Sequence, residues 1–246
     1  MQGKTVLITG GAKRVGAAIC RRLHRAGANL MVHYRSSVIE ARALQAELNA
    51  IRAGSVTLIQ ADLLDCDSFP NLIQTTLSSF GQLDVLINNA SSFYASPIGA
   101  ISESNWLDLI GTNLKAPLFL AQAAAAELRR QQGCIVNITD IHAERPMKNY
   151  VIYSIAKAGL VGLTRSLARE LGPEVRVNAV APGPIIWPED APDLDEVSRQ
   201  RIISHTILKQ AGDPDDIAKA VQYLVAEANY VTGQVINVDG GRSVRL

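Results

Sequence analysis

Tyr153 and Lys157 stand four residues apart in the stretch from Thr139 to Lys157, T-D-I-H-A-E-R-P-M-K-N-Y-V-I-Y-S-I-A-K. On a helix this spacing puts phenol and ammonium on one face, about 5–6 Å apart at Cβ. A fixed cation favours the phenolate. The pair therefore predicts a Tyr153 pKa lowered from its ordinary value near ~10 towards the range useful for proton transfer. Asp140 follows the apolar run Cys134-Ile135-Val136-Asn137-Ile138 and is expected at a strand's carboxyl end, where open α/β sheets hold their chemistry. A surface Tyr beside a solvated Lys has the same spacing, so the pair acquires meaning only with a cofactor site nearby.

Such a site is written at the amino end. Lys4 to Thr9 is a short apolar strand, Gly10-Gly11-Ala12-Lys13-Arg14-Val15-Gly16 a glycine turn, and a helical pattern runs on to Ala28. Gly10 and Gly11 permit the tight turn, Gly16 allows close backbone approach, and free N–H groups with the helix dipole would receive a pyrophosphate. The next strand, Ala28 to Val32, ends at His33-Tyr34-Arg35-Ser36-Ser37. An acid near this place would bind the adenine-ribose hydroxyls, whereas Arg and Ser accommodate a 2′-phosphate. No acid is present, and Arg35 and Arg14 offer guanidinium forks for phosphate oxygens, so NADPH is expected over NADH.

The remaining elements alternate. Val38 to Ala50, Asp67 to Phe80 (Pro70 in its first turn), Ser102 to about Gln131, Tyr150 to Leu171 and a segment opened by Asp213 have helical patterns. Ser55–Gln60, Leu83–Ile87, Cys134–Ile138, Val175–Val180 and Gln234–Val238 read as strands. This predicts a single α/β domain over residues 1–246, a Rossmann-type doubly wound parallel sheet of about seven strands flanked by helices. Ile185 to Gln210 is polar, proline-bearing and acidic early, as expected of a substrate lid spanning about 184–211. Trp187 within it would close over a substrate or pack the loop.

Composition excludes several classes. With 48% hydrophobic residues and a net charge of +1, the chain can bury a large core and offers no basic block for nucleic acid or anionic membrane. No apolar run approaches the roughly 18 residues of a membrane span. Cys20, Cys66 and Cys134 are scattered and odd in number, which suits free thiols in a reducing, cytoplasmic setting. His24, His33, His142 and His205 have no ligand spacing, so no metal is expected.

Taken together, T-G-x-x-x-x-x-G near residue 10, Asn88-Asn89-Ala90, Asn113 and Tyr153-x-x-x-Lys157 resemble the short-chain dehydrogenase/reductase superfamily over essentially the whole chain. Two departures narrow the resemblance. Arg14 stands where a glycine is common, and Asp140 stands where most members carry Ser; an ionised aspartate only accepts hydrogen bonds and cannot copy that neutral donor. With His33-Tyr34-Arg35-Ser36, Asn89-Ala90-Ser91-Ser92-Phe93 and Tyr150-x-x-Tyr153-x-x-x-Lys157, these features resemble pteridine reductases, and bacterial dihydromonapterin reductases share several of them.

The resemblance implies NADPH-dependent reduction of a pterin, with dihydropterins, oxidised pterins and folates all open as substrates. It implies a catalytic set of Asp140, Tyr153, Lys157 and Asn113, the last with its main chain around a water linked to the Lys in a locally distorted helix. It implies cofactor contacts from Gly10, Lys13, Arg14, Gly16, His33, Tyr34, Arg35, Ser36, Asp62, Asn89, Ala90, Ser91, Tyr153, Lys157, Pro182 and Gly183. Asp62 would touch the adenine, although an Asp there equally caps a turn. Substrate contacts would come from Arg14, Ser91, Phe93, Asp140 and Tyr153, Phe93 stacking on the heterocycle. The alanine-rich face Ala121 to Ala126 implies a helix-paired subunit interface and a homotetramer. Two other readings remain: a carbonyl reductase of the same fold acting on a 3-oxoacyl thioester, and a non-catalytic NADP-binding regulator.

Overall fold

The strands are short apolar runs because both of their faces are covered, as parallel sheets require. In the computed structural model, which describes residues 1–185 and 195–244, one seven-stranded sheet runs through the centre in the order β3-β2-β1-β4-β5-β6-β7. Its strands are β1 (Thr5–Ile8), β2 (Asn29–Tyr34), β3 (Val56–Gln60), β4 (Val85–Asn88), β5 (Cys134–Ile138), β6 (Arg176–Pro182) and β7 (Val235–Val238), every neighbouring pair parallel. The helices are α1 (Arg14–Arg25), α2 (Val38–Ile51), α3 (Phe69–Phe80), α4 (Glu103–Ile110), α5 (Ala116–Arg130), α6 (Val151–Leu171), α7 (Glu196–Ser204) and α8 (Pro214–Ala226).

Alternation within each strand feeds two cores. Val6, Ile8, Leu30, Val32, Val85, Ile87 and Val136 pack with Ile19 and Leu23 of α1 and Val221 of α8. Leu7, Met31, Leu86, Ile135 and Val177 point the other way, against Phe69 and Leu72 of α3, Leu120 of α5 and Leu167 of α6. Ala121 and Ala124 are fully buried in this second core, so part of the stripe expected to serve a subunit interface instead lets α5 approach the chain's own sheet.

Between β1 and β4 the order of the strands reverses, and at such a switch the loops leaving the carboxyl ends part and open a crevice. The glycine turn after β1 and the Asn88–Phe93 segment after β4 flank it. Two segments give detail to the sequence reading. Residues Gly111–Lys115 form a π-helical turn, in which Ala116 N–H reaches back five residues to Gly111 O. The region expected to be a substrate lid contains α7, opened by Asp195, whose side chain accepts from Ser198 N–H. Trp187, Glu189, Asp190 and Asp193 lie outside the described residues. No helix among the described residues is long and apolar enough to cross a membrane.

Candidate active site

The glycine turn is rigid because its neighbours are tied to it. Thr9 Oγ1 accepts from both Asn89 N–H and Ala90 N–H at 3.0 Å, and Asn89 Nδ2 donates to Thr9 O and Gly10 O. Gly10 has φ +60°, and a Cβ there would stand 2.9 Å from Ala90 Cα. At Gly16 a Cβ would come within 2.3 Å of Gly10 O, so only glycine lets α1 begin this close to the turn. The first turn of α1 contains no acid, leaving its positive end uncompensated, which fits a pyrophosphate.

Arg14, at the position where glycine is common, has φ +53°, the left-handed region. Lys13 Nζ lies 2.8 Å from Glu40 Oε1 at the start of α2, so this side chain is shared with a carboxylate. Arg35 and Ser36 are exposed just beyond β2, Arg35 O accepting from Gln60 Nε2. Tyr34 is half-buried beside them. Immediately beyond β2 the chain offers Arg35 and Ser36 to solvent and no acid.

His33 departs from expectation. The strand runs two residues past Val32, which carries the ring into the core, where Nδ1 accepts from Gly10 N–H at 3.2 Å and Nε2 meets Ala61 O at 3.1 Å. Those partners assign the proton to Nε2. Burial lowers the pKa, so the ring is neutral and braces the turn from beneath. Asp62 is exposed and its Oδ1 accepts from Leu64 N–H, the turn-capping alternative.

Across the crevice, β5 and α6 deliver the reactive groups. Asp140 caps a short helical turn with Oδ1, which accepts from His142 N–H, leaving Oδ2 to accept the Tyr153 phenol at 2.7 Å. Lys157 is buried, donates from Nζ to Ile138 O at 3.0 Å, and lies 5.6 Å from the centre of the Tyr153 ring. Burial lowers its pKa to about 8. For Tyr153 the structure reverses the sequence expectation: burial first, then the charge of Asp140, hold the phenol well above its ordinary range. Desolvation and a carboxylate at hydrogen-bond distance both oppose the phenolate, and together they outweigh an ammonium that lies over the ring. Tyr153 is therefore a protonated donor.

Ser91, Asn113 and Phe93 complete the group. Ser91 Oγ donates to Asn113 Oδ1 at 2.6 Å and also reaches the Tyr153 hydroxyl. Asn113 sits in the π-turn, the helix distortion the resemblance implies, and its Nδ2 donates to Ser92 O and Leu109 O. The Phe93 ring stacks on Tyr150 at 4.8 Å and meets Tyr153 edge-on at 4.9 Å. Pro182 closes β6, and Gly183 N–H donates to Val238 O; a Cβ on Gly183 would stand 2.6 Å from Asp239 Cα.

The sequence reading missed Arg242. It follows β7 at the same end of the sheet, half-buried, with Asp140 and Asp239 acting on its guanidinium against the effect of burial. Only the order β5-β6-β7 brings it near Asp140. Cys20 and Cys134, by contrast, are buried thiols pushed up to about 12 and about 11 and take no part.

Comparisons with known proteins agree with this geometry. Residues 10–243 match the family described as enoyl-(acyl carrier protein) reductase. Pteridine reductase 1 of Leishmania tarentolae is 34% identical, covering 97% of this chain and 96% of its own length. A 3-oxoacyl-(acyl-carrier-protein) reductase FabG of Staphylococcus aureus is 36% identical with 97% coverage of each. Among solved structures, a blue fluorescent protein from a metagenomic library, in complex with NADPH, superposes with TM-score 0.91 at 35% identity, covering 98% of both chains. A double mutant of a Serratia marcescens short-chain dehydrogenase/reductase has the same TM-score and coverage at 32% identity. The chain belongs to the short-chain dehydrogenase/reductase superfamily, within the family of the enoyl-(acyl carrier protein) reductase profile.

Proposed function

We propose that the protein is an NADPH-dependent pteridine reductase. The observation that carries this reading is the carboxylate of Asp140 accepting the Tyr153 phenol at 2.7 Å, with the Phe93 ring edge-on beside it. A reductase of 3-oxoacyl thioesters calls for a neutral hydroxyl at position 140 to polarise a carbonyl, and a carboxylate repels the oxyanion that such a carbonyl becomes. Relatives of both kinds are about equally similar, so the site and not the similarity favours the pterin.

The residues fit the cofactor. Gly10, Gly16 and the first turn of α1 form the cradle, with Lys13, Asn89, Ala90, Ser91, Pro182 and Gly183 as its walls, and Arg14, Arg35 and Ser36 suit a 2′-phosphate. When bound, NADPH supplies a hydride for the carbon of a ring C=N bond. Tyr153 gives the proton that the ring nitrogen must take up. Its conjugate base would be buried beside a carboxylate, so a proton from solvent, relayed through the Asp140 carboxylate, replaces the one Tyr153 gives up, and no isolated phenolate accumulates. Lys157 holds its ammonium by the phenol ring and would bind the nicotinamide ribose. Phe93 and Arg14 hold the heterocycle, the first by stacking, worth about 0.5–1.5 kcal/mol beyond burial. Ser91 and Asn113 fix the polar wall opposite Asp140. The fold is proposed to assemble as a homotetramer, and the exposed Trp106, Leu107, Leu118, Phe119 and Ile155 on α4, α5 and α6 support a helical interface.

The test is NADPH oxidation by purified protein with dihydrobiopterin, dihydromonapterin and dihydrofolate set against an acetoacetyl thioester. Turnover of a pterin that disappears in Tyr153→Phe is expected. Turnover of the thioester alone would overturn the assignment.

A further inference from the structure

The segment that carries Phe93 alternates in exposure. Ser91 and Phe93 are exposed, Ser92 and Tyr94 are half-buried, and Ser96 is buried. This is the period of an extended chain, whose successive side chains point to opposite sides. The outward pair meets the reactive groups, Ser91 at Asn113 and Phe93 at Tyr153. The inward pair converges on one carboxylate. Ser92 Oγ donates to Asp108 Oδ1 at 3.1 Å, and the Tyr94 hydroxyl hydrogen-bonds to Asp108 and Asn105.

Asp108 lies on α4, one turn before Thr112, whose hydroxyl is 3.3 Å from Ser92 Oγ. The far end of the segment is pinned as well: Ser96 N–H donates to Asn149 O at 2.6 Å, and Ser96 forms a parallel bridge with Tyr150, the residue on which Phe93 stacks. An ionised carboxylate accepts on two oxygens and donates nothing, so one Asp can hold both hydroxyls, and bonds to a charged acceptor are about twice as strong as neutral ones.

We propose that Asp108 is the positioning residue for the substrate's aromatic wall: by gripping the residues on either side of Phe93 it fixes that ring against Tyr150 and edge-on to Tyr153. This rests on the reading that Phe93 faces the substrate. Asp108 touches neither the glycine turn nor Tyr153; its side chain also meets Thr112 Oγ1 at 3.5 Å, and Ser92 O accepts from Asn113, so the share of its effect that passes through Phe93 is what a double-mutant cycle isolates.

A double-mutant cycle of Asp108→Ala and Phe93→Ala tests this, using whichever pterin or thioester the wild type reduces. Asp108→Ala is expected to raise the substrate KM about tenfold with the NADPH Kd unchanged, and to add less than about twofold when Phe93 is already Ala, the non-additivity of groups acting as one unit. Asp108→Asn, which keeps one acceptor, should recover most of the loss. Should Asp108→Ala fail to fold, Ser92→Ala combined with Tyr94→Phe removes the grip while leaving α4 intact, and the same KM rise is expected. Losses that multiply independently of Phe93, or a fall in NADPH affinity and Tm that tracks the KM and is not rescued by Asn, would show that Asp108 merely holds α4 in place. If no pterin is reduced the assignment of substrate fails, while the cycle run with the thioester still decides whether Asp108 positions Phe93.

Discussion

Replacing Asp140 by Asn should lower the titration of Tyr153. The phenol oxygen and Asp140 Oδ2 are 2.7 Å apart. Between a phenolate and a carboxylate at that separation, the repulsion is about 3 kcal/mol at an effective dielectric constant of ~40 and about twice that at ~20. At 1.36 kcal/mol per pH unit, even the weaker figure corresponds to about two units. The sign follows from the charge: the carboxylate disfavours the phenolate, so its removal lets the phenol ionise at lower pH. Burial, the larger cause, stays in place in the variant, so only the part of the rise that comes from Asp140 is removed. Wild-type kcat should therefore show no alkaline limb attributable to Tyr153 up to about pH 10, whereas Asp140→Asn should acquire one about two units or more below the wild-type position. Tyrosinate absorbance, corrected with the corresponding Tyr153→Phe proteins, follows the same group without turnover. Lys157 titrates at about 8 and is itself raised by Asp140, so the tyrosinate signal and not the kcat limb decides: a Tyr153 absorbance step that stays in place or moves upward in Asp140→Asn refutes the electrostatic account of Tyr153.

Two further outcomes follow from the glycine turn. Arg14→Gly relieves a left-handed conformation costing about 1–2 kcal/mol, partly offset by the greater freedom of glycine in the unfolded chain, so Tm of the cofactor-free protein should rise by about 1–3 °C while the NADPH KM increases. A fall in Tm would mean that the contacts of the Arg14 side chain outweigh the strain. His33 is held neutral by burial, its folded pKa lying below the ordinary value. The unfolded state therefore binds the extra proton, so its contribution to stability is present above about pH 6.5 and is lost as pH falls below it. Urea midpoints should drop over that window in the wild type and drop less steeply in His33→Asn; an equal slope would assign the effect to His24, also lowered by burial.

Legibility in the sequence followed burial. Cys134–Ile138 is a strand over the very residues read from its apolar run, because it lies between β4 and β6 with both faces covered. The glycine turn was equally readable, since the requirements at Gly10 and Gly16 are local. His33 was misplaced because its strand was expected to end at Val32, whereas pairing with β3 continues to Tyr34↔Gln60. The helix α7 escaped because E-V-S-R-Q-R-I-I-S buries none of its residues and so carries no apolar stripe. The pKa of Tyr153 was misjudged because spacing along a helix registers Lys157 but not how deeply the phenol is buried. Asp108 and Arg242 carry no motif, and their importance lies in contacts across 16 and about a hundred residues of chain respectively.

The π-turn at Gly111–Lys115 sets a helical phase as well as placing Asn113. One residue more than an α-helical turn rotates everything downstream by about 100°. Upstream of it, α4 directs Asp108 towards the segment that carries Phe93; downstream, α5 directs Ala116, Leu120, Ala121 and Ala124 into the core. Deleting a single residue here would restore a regular helix and put those two faces out of register, so that either the aromatic wall or the sheet would lose its support. The extra residue thus makes this helix intolerant of changes in length, and an insertion or deletion there should be as damaging as a substitution at Tyr153.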